Sequence, residues 1–129
     1  MATKITILIV ADFVSVRADL RTILELLSEV AVVGEATSGE EAVRQVNSCK
    51  PDLVLVDLEM NNMSGWAIIK MIKALPWVPQ IYVLSAYGHS TEKNAASKIG
   101  ADAFFVKGED TQSLLVKISN FKRPVPGSE

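Results

Sequence analysis

The chain has 129 residues, a length that fits one domain able to bury a sizeable core without disulfides or metals. Hydrophobic residues make up 49% and charged residues 22%, as in an ordinary globular protein, and the formal net charge of −2 gives this domain no electrostatic reason to bind nucleic acid. A single cysteine, Cys49, excludes an internal disulfide and is expected to be an inert thiol near a helix end.

No apolar run approaches the roughly 20 residues that a bilayer span needs, so no membrane segment is expected. The opening run Ile5 to Val10 is too short for a signal peptide, and Asp12 interrupts it with no small-residue cleavage site beyond. A reduced, cytoplasmic setting is the expectation.

In chain order, five short apolar runs alternate with amphipathic stretches. The first run spans Ile5 to Val10 and the second Ala31 to Ala36. Between them Val16, Leu20, Ile23, Leu24 and Leu27 form one helical stripe. After the second run, Ser38 is a helix cap followed by Glu40 and Glu41 in the first turn, where the helix dipole favours acids. Ala42, Val43 and Val46 give that helix its apolar side, and Pro51 closes the linker after it. The third run is Leu53 to Val56, followed by a helix carrying Trp66, Ile69 and Ile72. Pro76 and Pro79 bracket the turn into the fourth run, Ile81 to Leu84. A fourth helix is expected to turn Ala95, Ala96 and Ile99 inward and to stop at Gly100. The fifth run is Ala103 to Val106, and Leu114, Leu115 and Ile118 mark the last helix.

The runs are rich in β-branched residues, and three lack alternation, which predicts strands covered on both faces. Five βα units with right-handed crossovers predict a doubly wound α/β sheet, flavodoxin-like, in the order 2-1-3-4-5. The domain is expected to span 1–121. Residues 122–129 have linker composition and read as a disordered tail or the start of a linker.

The residues just past the strands carry the chemistry. Asp12 comes after the first, Asp57 after the third, Ser85 after the fourth and Lys107 after the fifth. In this fold those strand ends converge, so two carboxylates, a hydroxyl and an ammonium share one crevice. Two acids at that spacing suit Mg²⁺, which takes one or two carboxylates with phosphate and water. Lys107 and Ser85 can supply positive charge and a donor to a transferring phosphoryl group, with Asp57 as the nucleophile.

The chain resembles a bacterial response-regulator receiver domain over roughly residues 4–121. The matching stretches are ILIVADF (7–13), VVGEA (32–36), KPDLVLVDLEM (50–60), MSG (63–65), VLSA (83–86) and GADAFFVK (100–107). Residues 32–36 are most similar to receivers that precede helix-turn-helix DNA-binding domains, the LuxR/NarL type. The resemblance implies that Asp57 accepts phosphate from a histidine kinase or phosphotransfer protein. It implies that Asp12, Asp57 and the backbone carbonyl of Glu59 bind Mg²⁺. Ser85 would sense the phosphoryl group and Lys107 would pair with it. Ala86 would be the small residue beside it, and Phe104 the switch aromatic. It also implies a partner or second copy on the face of the fourth helix, fifth strand and fifth helix, and a DNA-binding effector domain if the natural chain is longer.

Departures from the family pattern are specific. Receivers usually have two acids after the first strand, and this chain has Ala11-Asp12, a loss that should weaken Mg²⁺ binding. Asn61 stands where proline is common and is expected to loosen the loop; Gly108 stands where proline often follows the lysine. The competing reading is a pseudo-receiver that keeps the fold without responding to phosphate, favoured by Ala11 and opposed by Asp57, Ser85 and Lys107 together. A flavin carrier of similar fold is disfavoured because no phosphate-cradling loop is present. His89 is read as an exposed loop residue, and Trp66 and Trp77 as packing or loop anchors.

Overall fold

A computed structural model of the chain describes residues 4–61 and 64–122. Met63 of the MSG stretch and the tail 123–129 lie outside the described residues.

The elements run β1 (Ile5–Val10), α1 (Val14–Leu24), β2 (Val30–Ala36), α2 (Gly39–Cys49), β3 (Leu53–Asp57), α3 (Gly65–Lys73), β4 (Gln80–Ser85), α4 (Ser90–Ile99), β5 (Ala103–Val106) and α5 (Thr111–Ser119). All strand pairs are parallel, and the sheet order is β2-β1-β3-β4-β5, the flavodoxin-like order expected from the βα alternation.

Each strand side feeds a separate half of the core. Ile5, Ile7, Ile9 and Ala11 face the layer of α1 and α5, where they meet Leu20, Leu24, Leu114 and Ile118. Leu8 and Val10 face the layer of α2, α3 and α4, with Val46, Ile68, Ile69, Ile72 and Ala96. Every residue of β3 is buried, as a central parallel strand requires. Burying one such Leu or Ile side chain contributes about 1.5–3 kcal/mol, so this sheet is a stiff platform for whatever its ends carry.

Local signals place the helices. The Ser38 hydroxyl accepts the amide of Glu41 at 3.2 Å, which fixes the start of α2. Gly100, at φ 99°, stops α4 in the left-handed conformation that side chains disfavour. Gly65 opens α3 against the end of β3. A Cβ there would lie 2.8 Å from the Leu58 Cα and 2.9 Å from the Asp57 carbonyl oxygen, so only glycine allows this approach.

Some expectations need correcting. Ala95 is exposed, because α4 buries only Ala96 fully and keeps Ile99 half-buried. Leu27 lies beyond the end of α1, although it still packs on the core. Asp57 and Ser85 do not follow their strands; they are the last residues of β3 and β4. Trp77 is a loop anchor, its indole N–H donating to the Pro51 carbonyl at 2.8 Å. His89 is exposed at the start of α4, and Cys49 is the exposed last residue of α2.

Candidate functional site

Sheet register brings the site together. Asp57 pairs with Leu84, and Ser85 with Val106. The ladder extends one step further: the Leu58 amide donates to the Leu84 carbonyl at 2.9 Å and the Lys107 amide to the Ser85 carbonyl at 2.8 Å. Val10 pairs with Val56, so Ala11 and Asp57 leave the β1–β3 ladder side by side. These constraints are backbone constraints, which holds the side chains at the strand ends independently of any ligand.

Asp57 is 0% exposed and Ser85 1% exposed, the two fully buried polar side chains among the described residues. The Lys107 ammonium lies 2.6 Å from Asp57 Oδ1, which also accepts the Glu59 amide at 2.9 Å. Asp57 Oδ2 is buried with no hydrogen-bond partner. Burial raises the Asp57 carboxyl above its ordinary value, and the Lys107 and Glu59 amide bonds only partly oppose it. Burial would lower the Lys107 ammonium, but its hydrogen bonds to Asp57 and Glu59 outweigh that and raise it. A proton therefore stays on the lysine, and the positive charge is kept at the strand ends.

The Glu59 side chain is the feature that sequence reasoning did not place. Its Oε2 accepts the Ser85 hydroxyl at 3.0 Å. Its Oε1 accepts the Ala86 amide at 2.8 Å and lies 3.0 Å from the Lys107 ammonium. The Ser85 oxygen in turn accepts the Tyr87 amide at 3.1 Å. An acid two residues past Asp57, in a loop opposite a lysine, was the available signal.

Asp12 comes two residues after β1, half-buried, with its Oδ2 accepting the Asn61 amide at 2.7 Å. Asn61 thus tethers the loop after Asp57 to Asp12 rather than loosening it; a proline, having no N–H, could not make this bond. The Arg17 guanidinium donates to the carbonyls of Ala11 at 2.9 Å and Asp12 at 3.0 Å and pairs with Glu35 at 2.9 Å. Arg21 adds a second contact to Glu35 at 2.6 Å. The glutamate of the 32–36 stretch therefore supports, through Arg17, the turn that carries Asp12. Phe104 pairs with Val83 in the ladder and is half-buried against the α3–α4 side of the core.

Among the described residues no three His, Cys, Asp or Glu side chains form a metal cluster. A Mg²⁺ ion fits the donor set on other grounds. It commonly takes only one or two carboxylates and fills its remaining positions with carbonyl, phosphate or water oxygens. The orphaned Asp57 Oδ2 is a hard oxygen of the required kind. No helix is long and apolar enough to cross a membrane among the described residues.

A doubly wound parallel sheet with a buried aspartate, a lysine and a hydroxyl at its carboxyl ends defines a class of signalling domains rather than of nucleotide-binding enzymes. The response regulator receiver domain family matches residues 7–119, and the chain belongs to that family, the receivers of two-component systems. It is 31% identical over 110 residues to the nitrate/nitrite response regulator protein NarL of Escherichia coli, covering 85% of this chain and 51% of that protein. It is 38% identical over 111 residues to a transcriptional regulatory protein, YhcZ, of Bacillus subtilis, covering 84% and 51%. The chain spans about half the length of these curated relatives. Among solved structures, the response regulator domain of Thermotoga maritima CheB matches with a TM-score of 0.80 at 29% identity, covering 91% of this chain and 95% of that one. The CheX–CheY–BeF₃–Mg²⁺ complex from Borrelia burgdorferi matches with a TM-score of 0.81 at 26% identity, covering 93% and 92%.

Proposed function

We propose that this domain is a phosphoacceptor switch in which Asp57 takes a phosphoryl group from a histidine kinase or phosphotransfer protein. The observation that carries the reading is the buried Asp57 carboxylate with the Lys107 ammonium at 2.6 Å, beside the Ser85 hydroxyl and Ala86 amide at the neighbouring strand end. An Asp57 oxygen attacks the phosphorus of the donor phosphohistidine. The new O–P bond makes an acyl phosphate, and the P–N bond breaks with its electron pair going to the histidine nitrogen. Lys107 neutralises charge on the phosphoryl oxygens, and Ser85 and the Ala86 amide donate to them. Asp12, Asp57 and the Glu59 carbonyl would hold Mg²⁺, which when bound would supply positive charge to offset that of the acids and the phosphoryl group.

Ser85 is the sensor and Phe104 the aromatic that changes rotamer with it. The surface altered is that of α4, β5 and α5, where a partner or a second copy binds. The length of the curated relatives supports an output module outside this domain, a DNA-binding effector in the case of a LuxR/NarL-type chain. Ala11, fully buried where receivers usually carry an acid, favours the second reading, a pseudo-receiver. Acetyl phosphate with Mg²⁺ separates the two. The phosphoacceptor gains one phosphoryl mass that Asp57→Asn abolishes; an unmodified wild type supports the pseudo-receiver.

A further inference from the structure

We propose that the Glu59 carboxylate is a built-in occupant of the phosphoryl-oxygen site, so that loading Asp57 exchanges an internal anion for an external one. The inference rests on Asp57 being the phosphoacceptor. Three donors from two strand ends converge on this one side chain: the Ser85 hydroxyl at 3.0 Å, the Ala86 amide at 2.8 Å and the Lys107 ammonium at 3.0 Å. They are the same three groups that a phosphoryl group on Asp57 would need.

Donor capacity forces the competition. Ser85 has one O–H and Ala86 one N–H, so each serves Glu59 or the phosphoryl group. Only the lysine, with three N–H bonds, can serve several acceptors at once. The two anions also repel at this range. The Glu59 amide is held by Asp57 Oδ1 at 2.9 Å, which keeps the residue's backbone over the strand end. Its side chain is 33% exposed, in contrast to the enclosed Asp57, so rotation outward into water is open. The side chain is thus a displaceable plug, and its departure is a step that a side chain with no acceptor at this position would not require. The site's positive charge and donors are not left waiting for phosphate; they are already satisfied.

The test compares wild type with Glu59→Ala and Glu59→Gln in Mg²⁺-dependent labelling by acetyl phosphate, read as the initial rate of the phosphoryl adduct by intact-mass spectrometry. Both substitutions keep the backbone amide and carbonyl. The expected result is about a 10-fold or greater rate increase for Glu59→Ala, with Glu59→Gln between it and wild type, and no adduct when either is combined with Asp57→Asn. Equal or slower labelling of Glu59→Ala, with the adduct still on Asp57, overturns the proposal and leaves the phosphoacceptor reading standing. No adduct on any variant overturns the phosphoacceptor reading and the inference with it.

Discussion

Replacing Asp57 by Asn should stabilise the metal-free domain at neutral pH. The carboxylate is fully buried, one oxygen has no partner, and its pKa is raised from 3.8 despite the lysine at 2.6 Å. A raised folded-state value means that ionising Asp57 is harder in the native state than in the unfolded chain. The ionised group therefore subtracts from stability at every pH above about 4, increasingly until the folded-state value is passed. Asparagine carries no charge and fits the same space. It can still accept the Glu59 amide, and Lys107 keeps its contact with Glu59. Against this, the Lys107–Asp57 pair is lost, which limits the gain. The net expectation is about 1 kcal/mol at pH 7–8, or roughly a 3–6 °C rise in Tm. Thermal melts in EDTA from pH 3 to 8 read it. The gain should shrink as pH falls through the folded-state value and vanish toward pH 3, below the ordinary value of 3.8, where the wild-type carboxyl is protonated in both states, and added Mg²⁺ should narrow it at pH 7 by binding wild type. An Asp57→Asn variant no more stable than wild type at pH 7–8, or a gain independent of pH, refutes the reasoning.

Ala11 lies beside Asp57 and is fully buried, so Ala11→Asp adds a second carboxylate to an enclosed place. In calorimetry it should bind Mg²⁺ roughly 10-fold tighter, while in EDTA it should lose about 1–3 kcal/mol of stability; equal Mg²⁺ affinity would show that another group already fills the missing acid's role. Ser85→Ala should still be phosphorylated on Asp57 but lose the chemical-shift changes at residues 91–121 that beryllofluoride and Mg²⁺ cause in wild type; identical shifts would remove Ser85 from the route. Glu35 is held below the usual carboxylate range, chiefly by the Arg21 hydrogen bond and also by Arg17, against a burial effect that raises it. Its depressed value contributes stability above about pH 4.5 that is lost as pH falls through the folded-state value. Glu35→Gln should cost about 1 kcal/mol at pH 7 and less at pH 3, as the carboxylate takes up a proton; denaturant melts at the two pH values check this.

The strands were legible because parallel central strands are apolar on both sides. Leu53 to Val56 could be little else. The ends of β3 and β4 were placed one residue short because Asp57 and Ser85 are polar, and polarity alone reads as a turn. Their partners come from the segments that follow other strands, Lys107 after β5 for Asp57 and Glu59 after β3 for Ser85, which no local window contains. Strand order alone predicts Asp57, Ser85 and Lys107 at neighbouring strand ends, where Lys107 meets Asp57 and Glu59 joins Lys107 to Ser85; Asp12 is linked to the loop after Asp57 through the Asn61 amide. The Glu59 side chain was not legible, because its direction is set by three donors spread from residue 85 to residue 107. Arg17 and Arg21 stand one helical turn apart and face Glu35, whose partner in the β1–β2 ladder is Ile9. That cluster needed the sheet register before it could be read. Asn61 shows the reverse error: its departure from proline suggested a looser loop, yet its amide makes a bond that proline forbids.

The most direct measurement is chemical trapping of the acceptor. After incubation with acetyl phosphate and Mg²⁺, borohydride reduces an acyl phosphate to the alcohol, which turns aspartate into homoserine. Peptide mass spectrometry should find homoserine at position 57 and unmodified aspartate at position 12. Homoserine absent from position 57, or present elsewhere in its place, would contradict the account.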